Sequence, residues 1–345
     1  MTRIAVAMSG GVDSSVTAEL LLEQGYDIFG ITMLVVPENE IVNNKVPLMS
    51  QNVATKLGMQ HYVVDLRAFF KENIISYFCS QYEVGKTPNP CVRCNRFVKF
   101  GLLYEKAREL GADVLATGHY ARVEQKDDRY ILKKGVDPKR DQSYFLYRLT
   151  QEQLSRTLFP LGDITKDTVR LKATELQLPT SESESREICF IPDNDYRRFL
   201  KAHSTETQKT GEIIDKAGQI LGKHEGISHY TIGQRHGLGI AASQPLYVIS
   251  IDSKKNCVVV GEKADLLSDE AKVSVVNWIS IPEPTAQIKA TVKIRYLHPG
   301  AEANVTPLQN HEARIKFTQP QSAITPGQAA VFYDGDVVLG GGTIE

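Results

Sequence analysis

Over the first 118 residues, short continuous β-type apolar runs at 4–8, 28–35, 61–66 and 113–117 alternate with stretches of helical spacing at 16–24, 48–57, 69–82 and 100–110. Strands that are apolar throughout are those covered on both faces, so the alternation predicts an α/β fold built on a doubly wound parallel sheet. Gly25, Gly58 and Gly111 stand where three of the helices should stop. Residues 37–47 are polar and unpatterned and read as a surface loop. An alternating pair at 121–124 and 130–133, closed by Lys126, Asp127 and Asp128, reads as a hairpin.

Three helical patterns follow at 151–157, 166–176 and 195–203 with no strand pattern between them, which predicts a separate helical part. β-type runs return at 211–214, 218–221 and 230–235, then as a hairpin at 245–252 and 257–261. From 273 to 342, five or six short strands between turn residues suit a small closed barrel, since closure removes exposed edges. The expected units are 1–205, 206–270 and 271–345.

The first apolar run ends in Ala7-Met8 and passes through Ser9-Gly10-Gly11-Val12-Asp13-Ser14-Ser15 into the first helical pattern. Paired glycines between a strand and a helix leave backbone N–H groups pointing outward at the positive end of the helix dipole, which is a seat for an anion. Gly10 and Gly11 permit close approach of a ligand, and Ser9, Ser14 and Ser15 add hydroxyl donors without bulk. Asp13 is a carboxylate where a phosphate should sit, a placement that makes sense if a divalent cation such as Mg2+ bridges the two. The spacing is neither that of a Walker phosphate loop nor a dinucleotide fingerprint. Gly85-Lys86-Thr87 looks like a Walker ending, but Ser80 stands where its first glycine belongs. Ligands of a doubly wound sheet bind beyond the carboxyl ends of its strands. Met33, near the end of the second strand, and Gly118-His119, at the end of the fourth, therefore belong to the same crevice.

Composition narrows the class. Forty basic residues against 41 acidic ones give a formal net charge of −1, which neither demands nor forbids a polyanionic partner. Lys133, Lys134, Lys139 and Arg140 form one local basic cluster, and Arg186, Arg197, Arg198 and Lys201 another. No apolar run approaches the ~18 residues of a membrane span, and Met1-Thr2-Arg3 leads straight into a strand, so a cytoplasmic protein without membrane contact is expected. Five cysteines without a signal segment argue against a disulfide framework and for metal or redox chemistry.

In Thr87-Pro88-Asn89-Pro90-Cys91-Val92-Arg93-Cys94-Asn95, two prolines stiffen the approach to a C-x-x-C pair whose thiolates one metal or cluster can take together. No second C-x-x-C exists to complete a structural zinc site. Cys189 lies far along, in Glu187-Ile188-Cys189-Phe190-Ile191, behind a polar stretch at 181–185. Cys79 and Cys257 fall in apolar patterns and read as small buried hydrophobes.

Residues 9–15 resemble the pyrophosphatase-type phosphate loop (PP-loop), SGGxDS, of enzymes that transfer AMP from ATP to an oxygen and release pyrophosphate. Together with residues 87–95, Gly118-His119-Tyr120, residues 141–146, 187–191 and 230–240, Arg295-Tyr296 and Pro326-Gly327-Gln328, they make the chain similar nearly end to end to the tRNA-specific 2-thiouridylases. That resemblance implies a transferase that adenylates the C2 oxygen of the wobble uridine of a tRNA and replaces it with sulfur. It implies ATP, with Mg2+, bound at Ala7, Met8, Ser9, Gly10, Gly11, Val12, Asp13, Ser14, Met33 and Gly118. Cys94 is then the nucleophile, and Cys189 carries a persulfide received from a relay protein, with a Cys94 to Cys189 disulfide left for reduction. Such a relay requires residues 181–187 to move.

The resemblance also implies a tRNA interface. Asn89, Pro90 and Cys91 meet the target base, His119 and Gln328 make single contacts, Arg140, Asp141 and Gln142 lie on one loop, and Arg295 with Tyr296 lie on the barrel. Many family members carry Asp-x-x-Cys where this chain has Cys91-x-x-Cys94. The third cysteine allows Cys91, Cys94 and Cys189 to hold three irons of a [4Fe-4S] cluster whose fourth iron binds hydrosulfide from inorganic sulfide, the favoured of the two sulfur routes. Two rival readings remain: a ligase or amidotransferase with the same loop acting on a small carboxylate or purine, and a non-catalytic tRNA-binding protein that uses ATP as a switch. The first leaves the three thiols unexplained and lacks a recognisable ammonia source.

Overall fold

The computed structural model describes residues 2–36, 42–179, 188–204 and 209–345, with the backbone alone at 42–45. Its first layer begins with β1 (Arg3–Ala7), α1 (Val12–Glu23), β2 (Asp27–Leu34), α2 (Val42–Lys56) and β3 (Gln60–Asp65). A long helical stretch follows, made of α3 (Arg67–Phe70), a π-helical segment Lys71–Ile75 and α4 (Ser76–Glu83). A second is made of α5 (Pro90–Cys94), a π-helical segment Asn95–Leu103 and α6 (Tyr104–Glu109), and leads into β4 (Val114–Ala116). Phe29 and Ile31 of β2 bury one face of the sheet against Phe70, Ile74, Phe78, Val98 and Leu103 of these helices. On the other face Ile4, Val6 and Ile28 pack against Ala18, Leu21 and Val53 of α1 and α2.

The hairpin β5 (Ala121–Lys126) and β6 (Arg129–Lys134) comes next, then α7 (Gln151–Ser155), β7 (Thr157–Leu158) and α8 (Lys166–Glu175). The parallel sheet has the order β3-β2-β1-β4-β7. The expected separate helical part is therefore corrected: β7 pairs with β4 as a fifth strand, and Val169 and Ala173 of α8 pack on Val16 of α1. A two-residue strand is too short to show a period. Likewise 42–47, expected in a loop, belongs to α2 with Pro47 inside it, while residues 37–41 and 180–187 lie outside the described residues.

After α9 (Tyr196–His203), β8 (Gly211–Ile214), β9 (Ile220–His224), β10 (Tyr247–Asp252) and β11 (Cys257–Gly261) form a four-stranded sheet ordered β10-β11-β8-β9. Residues 230–235, expected as a strand, form turns: Gly233 has φ +89°, and Gln234 folds its Oε1 back to accept from Thr231 N–H at 3.2 Å. The last six strands are β12 (Leu267–Asn277), β13 (Ile288–Lys293), β14 (Ala301–Leu308), β15 (Glu312–Ser322), β16 (Ala329–Asp334) and β17 (Val337–Ile344). They close into a barrel through pairing of β12 with β17. Among the described residues no helix is long and apolar enough to cross a membrane.

The barrel is clamped to the first layer rather than tethered to it. Asn277 Nδ2 donates to the carbonyls of Tyr147 at 2.7 Å and Leu149 at 3.0 Å, and Tyr144 OH donates to Ala329 O at 2.9 Å. These bonds join β12 and β16 to the loop after β6, which carries residues 140–142. The position of that loop is thus set by the barrel.

Candidate active site

In the parallel sheet β2 and β3 lie on one side of β1, and β4 and β7 on the other. The strand order, not the strand direction, reverses between β1 and β4, so the loops after these two parallel strands flank the crevice where such sheets bind ligands. Gly10, in the loop after β1, has φ +72°, and a Cβ there would stand 2.7 Å from Met49 Cβ. Gly10→Ala is expected to cost roughly 1–3 kcal/mol of stability for the left-handed backbone alone, read as a lowered urea midpoint. α1 starts after Gly11 with no side-chain cap, which leaves its first amide groups open to an anion.

The serines divide their work differently from the expectation. Ser14 and Ser15 are buried, and their hydroxyls donate to Gly11 O at 3.0 and 2.9 Å, while Ser14 Oγ accepts from Ser9 N–H at 3.2 Å. They fix the shape of the loop, and Ser9 is the hydroxyl left exposed. Met8 is 4% exposed and belongs to the core, with its N–H donating to Ile31 O and its carbonyl accepting from Thr32 Oγ1. Ala7 and Met33 are half-buried at the ends of β1 and β2.

Asp13 is the focus of the loop. Its Oδ1 accepts from Lys166 Nζ at 2.6 Å and from Tyr120 OH at 2.7 Å. Burial and the hydrogen bond to this carboxylate push the Tyr120 phenol far above its ordinary value, so it stays a donor. Gly118 lies flat against the same loop, where a Cβ would stand 3.0 Å from the Asp13 carbonyl carbon. Its missing side chain therefore admits the loop backbone. Lys166, at the start of α8, carried no local signal in the sequence, because its partner is 153 positions away. Among the described residues no three His, Cys, Asp or Glu side chains group around a metal ion, so Asp13 fits a cation only in company with phosphate oxygens.

The cysteines stand on the adjoining helix. Asn89 caps α5, its Oδ1 accepting from Val92 N–H at 3.4 Å, and Pro90 takes the first turn, where its missing N–H costs nothing. Cys94 is 7% exposed, and burial pushes its thiol up to about 12 against the opposing field of Lys99, with Cys189 and Cys91 adding to the rise. Cys91, half-buried, is raised by burial and opposed by Lys99 in the same way. Cys189 is exposed beside them because the next residue is anchored: Phe190 is 2% exposed, with ring centroids 5.4 Å from Phe78 and 5.2 Å from Phe199. Cys79 and Cys257 are buried, as expected of small apolar groups.

The expected RNA contacts separate into exposed and interior residues. His119 is 8% exposed, its ring set 5.9 Å from both Phe100 and Phe159, so it offers no face for stacking on a base. Its Nε2 lies 3.4 Å from Lys99 Nζ and its Nδ1 2.7 Å from Thr117 Oγ1. An ammonium can only donate, so Nε2 accepts and Nδ1–H donates to the threonine. Burial, then Lys99, hold the imidazole well below its ordinary pKa, and it is neutral. Asp141 is also interior, 7% exposed, accepting from Gly135 N–H, Ser143 N–H and Ser143 Oγ at 3.2, 3.0 and 3.0 Å. It shapes its loop instead of facing outward.

Gln142 Oε1 accepts from Tyr120 N–H at 3.1 Å, and Gln328 Nε2 donates to Thr87 O at 2.9 Å, so both hold neighbouring segments in place. Arg140 and Arg295 are exposed, and Tyr296 is half-buried with its ring 4.5 Å from that of Phe145. Leu297, next to Tyr296, is 86% exposed and had no signal in the sequence pattern.

Residues 2–193 match the family described as the tRNA methyl transferase HUP domain, 197–262 the tRNA methyl transferase PRC-barrel domain, and 268–344 the aminomethyltransferase beta-barrel domain. The tRNA-specific 2-thiouridylase MnmA 1 of Caldanaerobacter subterraneus subsp. tengcongensis is 51% identical over 355 aligned positions, covering 99% of this chain and 98% of the relative. The tRNA-specific 2-thiouridylase MnmA of Geotalea uraniireducens is 49% identical, covering 99% and 95%. Among solved structures, the U34-tRNA thiolase NcsA from Methanococcus maripaludis with its [4Fe-4S] cluster is similar at a TM-score of 0.36 and 20% identity, over 58% of this chain and 63% of that one.

Proposed function

The chain belongs to the tRNA-specific 2-thiouridylase family, and from that premise we propose that it activates the wobble uridine of a tRNA with ATP and exchanges the C2 oxygen for sulfur, giving 2-thiouridine, AMP and pyrophosphate. One observation carries the reading: residues 117–120 join two half-sites. Gly118 and Tyr120 touch the loop that holds Asp13, while His119 touches Lys99, whose field reaches Cys91 and Cys94. A base bound across this segment meets an activating group on one side and thiols on the other.

Uridine C2 is a urea-like carbonyl whose oxygen is a poor leaving group. Attack by O2 on the α-phosphorus of ATP makes it part of AMP, and the pyrophosphate leaves into the amide seat at α1. The terminal sulfur of a Cys189 persulfide adds to C2, and the C2–O bond breaks with loss of AMP. Cys94 thiolate then attacks the Cys189 sulfur, releasing the thiouridine sulfur and leaving a disulfide for an external thiol to reduce. A persulfide relay protein would load Cys189. Mg2+ would be held by Asp13 and the phosphates and would neutralise charge on them.

A second sulfur route is favoured by Cys91, the third thiol in the same field. The donor set fits a [4Fe-4S] cluster in kind, since Cys91 and Cys189 both act on Cys94 through space, while among the described residues the three thiols are not gathered tightly enough to hold a metal as they stand. Bound there, the cluster would supply hydrosulfide taken from inorganic sulfide. Iron and acid-labile sulfide analysis of anaerobically purified protein separates the routes, and fully active, iron-free protein removes the second.

The test of the function is nucleoside mass spectrometry of tRNA after incubation with ATP and a sulfur source. Appearance of 2-thiouridine with equivalent AMP supports it, and AMP release that needs no RNA would favour a small-molecule ligase. Arg140→Ala is expected to weaken tRNA binding at all wobble contexts and to reduce the slope of log affinity against log salt by about one.

A further inference from the structure

Among the described residues Lys99 is a cation without an anion. It is half-buried on the π-helical segment Asn95–Leu103, it donates to His119 Nε2 at 3.4 Å, and among the described residues no carboxylate forms an ion pair with it. The imidazole that holds it is neutral and fixed in orientation by Thr117. Beyond the imidazole the groups that sense the ammonium are the Cys91 and Cys94 thiols, and Cys189 acts on Cys94 in turn.

The backbone explains the placement. Cys94 precedes the π segment, whose i→i+5 register brings Lys99 above Cys94, whereas in an α-helix the neighbours of Cys94 would be Phe97 and Val98. Withdrawing an ammonium from water without a counter-charge is costly. A neutral residue would fill the position more cheaply unless an anion arrives there.

We propose that Lys99 is the counter-cation of the transferred sulfur, holding the sulfur anion beside Cys94 for attack on the base, with His119 as the residue that aims it. The inference rests on the 2-thiouridylase reading. It holds for either sulfur route, because a persulfide and a hydrosulfide are both anions.

Alkylation of Cys94 by iodoacetate and by iodoacetamide, followed at the Cys94 peptide by mass spectrometry in iron-free protein, tests the field directly. Both reagents consume the same thiolate, so the ratio of their rates cancels its abundance and reads the local potential. Lys99→Met should lower the iodoacetate-to-iodoacetamide ratio roughly fivefold, and Lys99→Arg should restore it. In single turnover, Lys99→Met should keep pyrophosphate release and slow 2-thiouridine formation about 100-fold. An unchanged ratio, or equal loss of both products, overturns the proposal. Should Lys99→Met fail to fold, salt serves instead: in the wild-type protein the iodoacetate rate must fall with ionic strength while the iodoacetamide rate stays level, and two level rates overturn it. The alkylation arm uses neither RNA nor ATP, so its failure is distinct from a wild-type protein that makes no 2-thiouridine, which would remove the underlying reading.

Discussion

Replacing Cys94 with serine is expected to stop 2-thiouridine formation and to leave ATP-dependent pyrophosphate release in place. The substitution is nearly isosteric, and Cys94 accepts its surroundings as a small buried group at 7% exposure, so the fold should tolerate it. On the proposed function it removes the sulfur that would resolve the Cys189 persulfide or ligate the cluster, and loss of such a nucleophile costs at least ~10³-fold. Activation is spared because Asp13, Lys166 and Tyr120 form their contacts among themselves. Cys189→Ser should behave alike. Cys91→Ser discriminates: a relay through Cys94 and Cys189 survives it, whereas a three-thiol cluster does not. Thiolation unchanged in Cys94→Ser would remove the role assigned to that thiol.

The second large effect is at Asp13. Asp13→Asn keeps the shape of the side chain but removes the charge that meets Lys166 at 2.6 Å and would meet a bridging cation. Adenylation should fall by about 10²- to 10³-fold, measured as tRNA-dependent pyrophosphate release. Binding of tRNA, measured by filter retention, should not change, since Asp13 lies on the side of residues 117–120 proposed to hold the nucleotide. Pyrophosphate release at the wild-type rate would count against the metal bridge.

The parallel sheet was legible because strands covered on both faces are written as unbroken apolar runs. β7 escaped notice because two residues carry no period, and the π segment because an i→i+5 register does not repeat every 3.6 residues. The phosphate loop was legible as a motif, yet its hydroxyls were not. Ser14 and Ser15 turn inward onto Gly11 O, a local bond that competes with a ligand for the same hydrogen. His119 and Asp141 are of types usually found outside, and only their partners reveal why they are inside. Lys166, Tyr120 and Lys99 are defined by long-range neighbours, which a linear reading cannot supply.

Phe190 gives Cys189 a fixed pivot. The ring is sunk among Phe70, Phe78 and Phe199, and a single peptide unit, about 3.8 Å between Cα atoms, separates the two residues. Whatever path the preceding chain takes, the thiol can swing but not travel. On the proposed persulfide route, sulfur would therefore not be ferried from a distant loading point; the donor would come to the rim of the crevice and hand it over there. Charging and delivery would then share one doorway, so on that route a docked donor and a fully seated tRNA would compete for it and take turns.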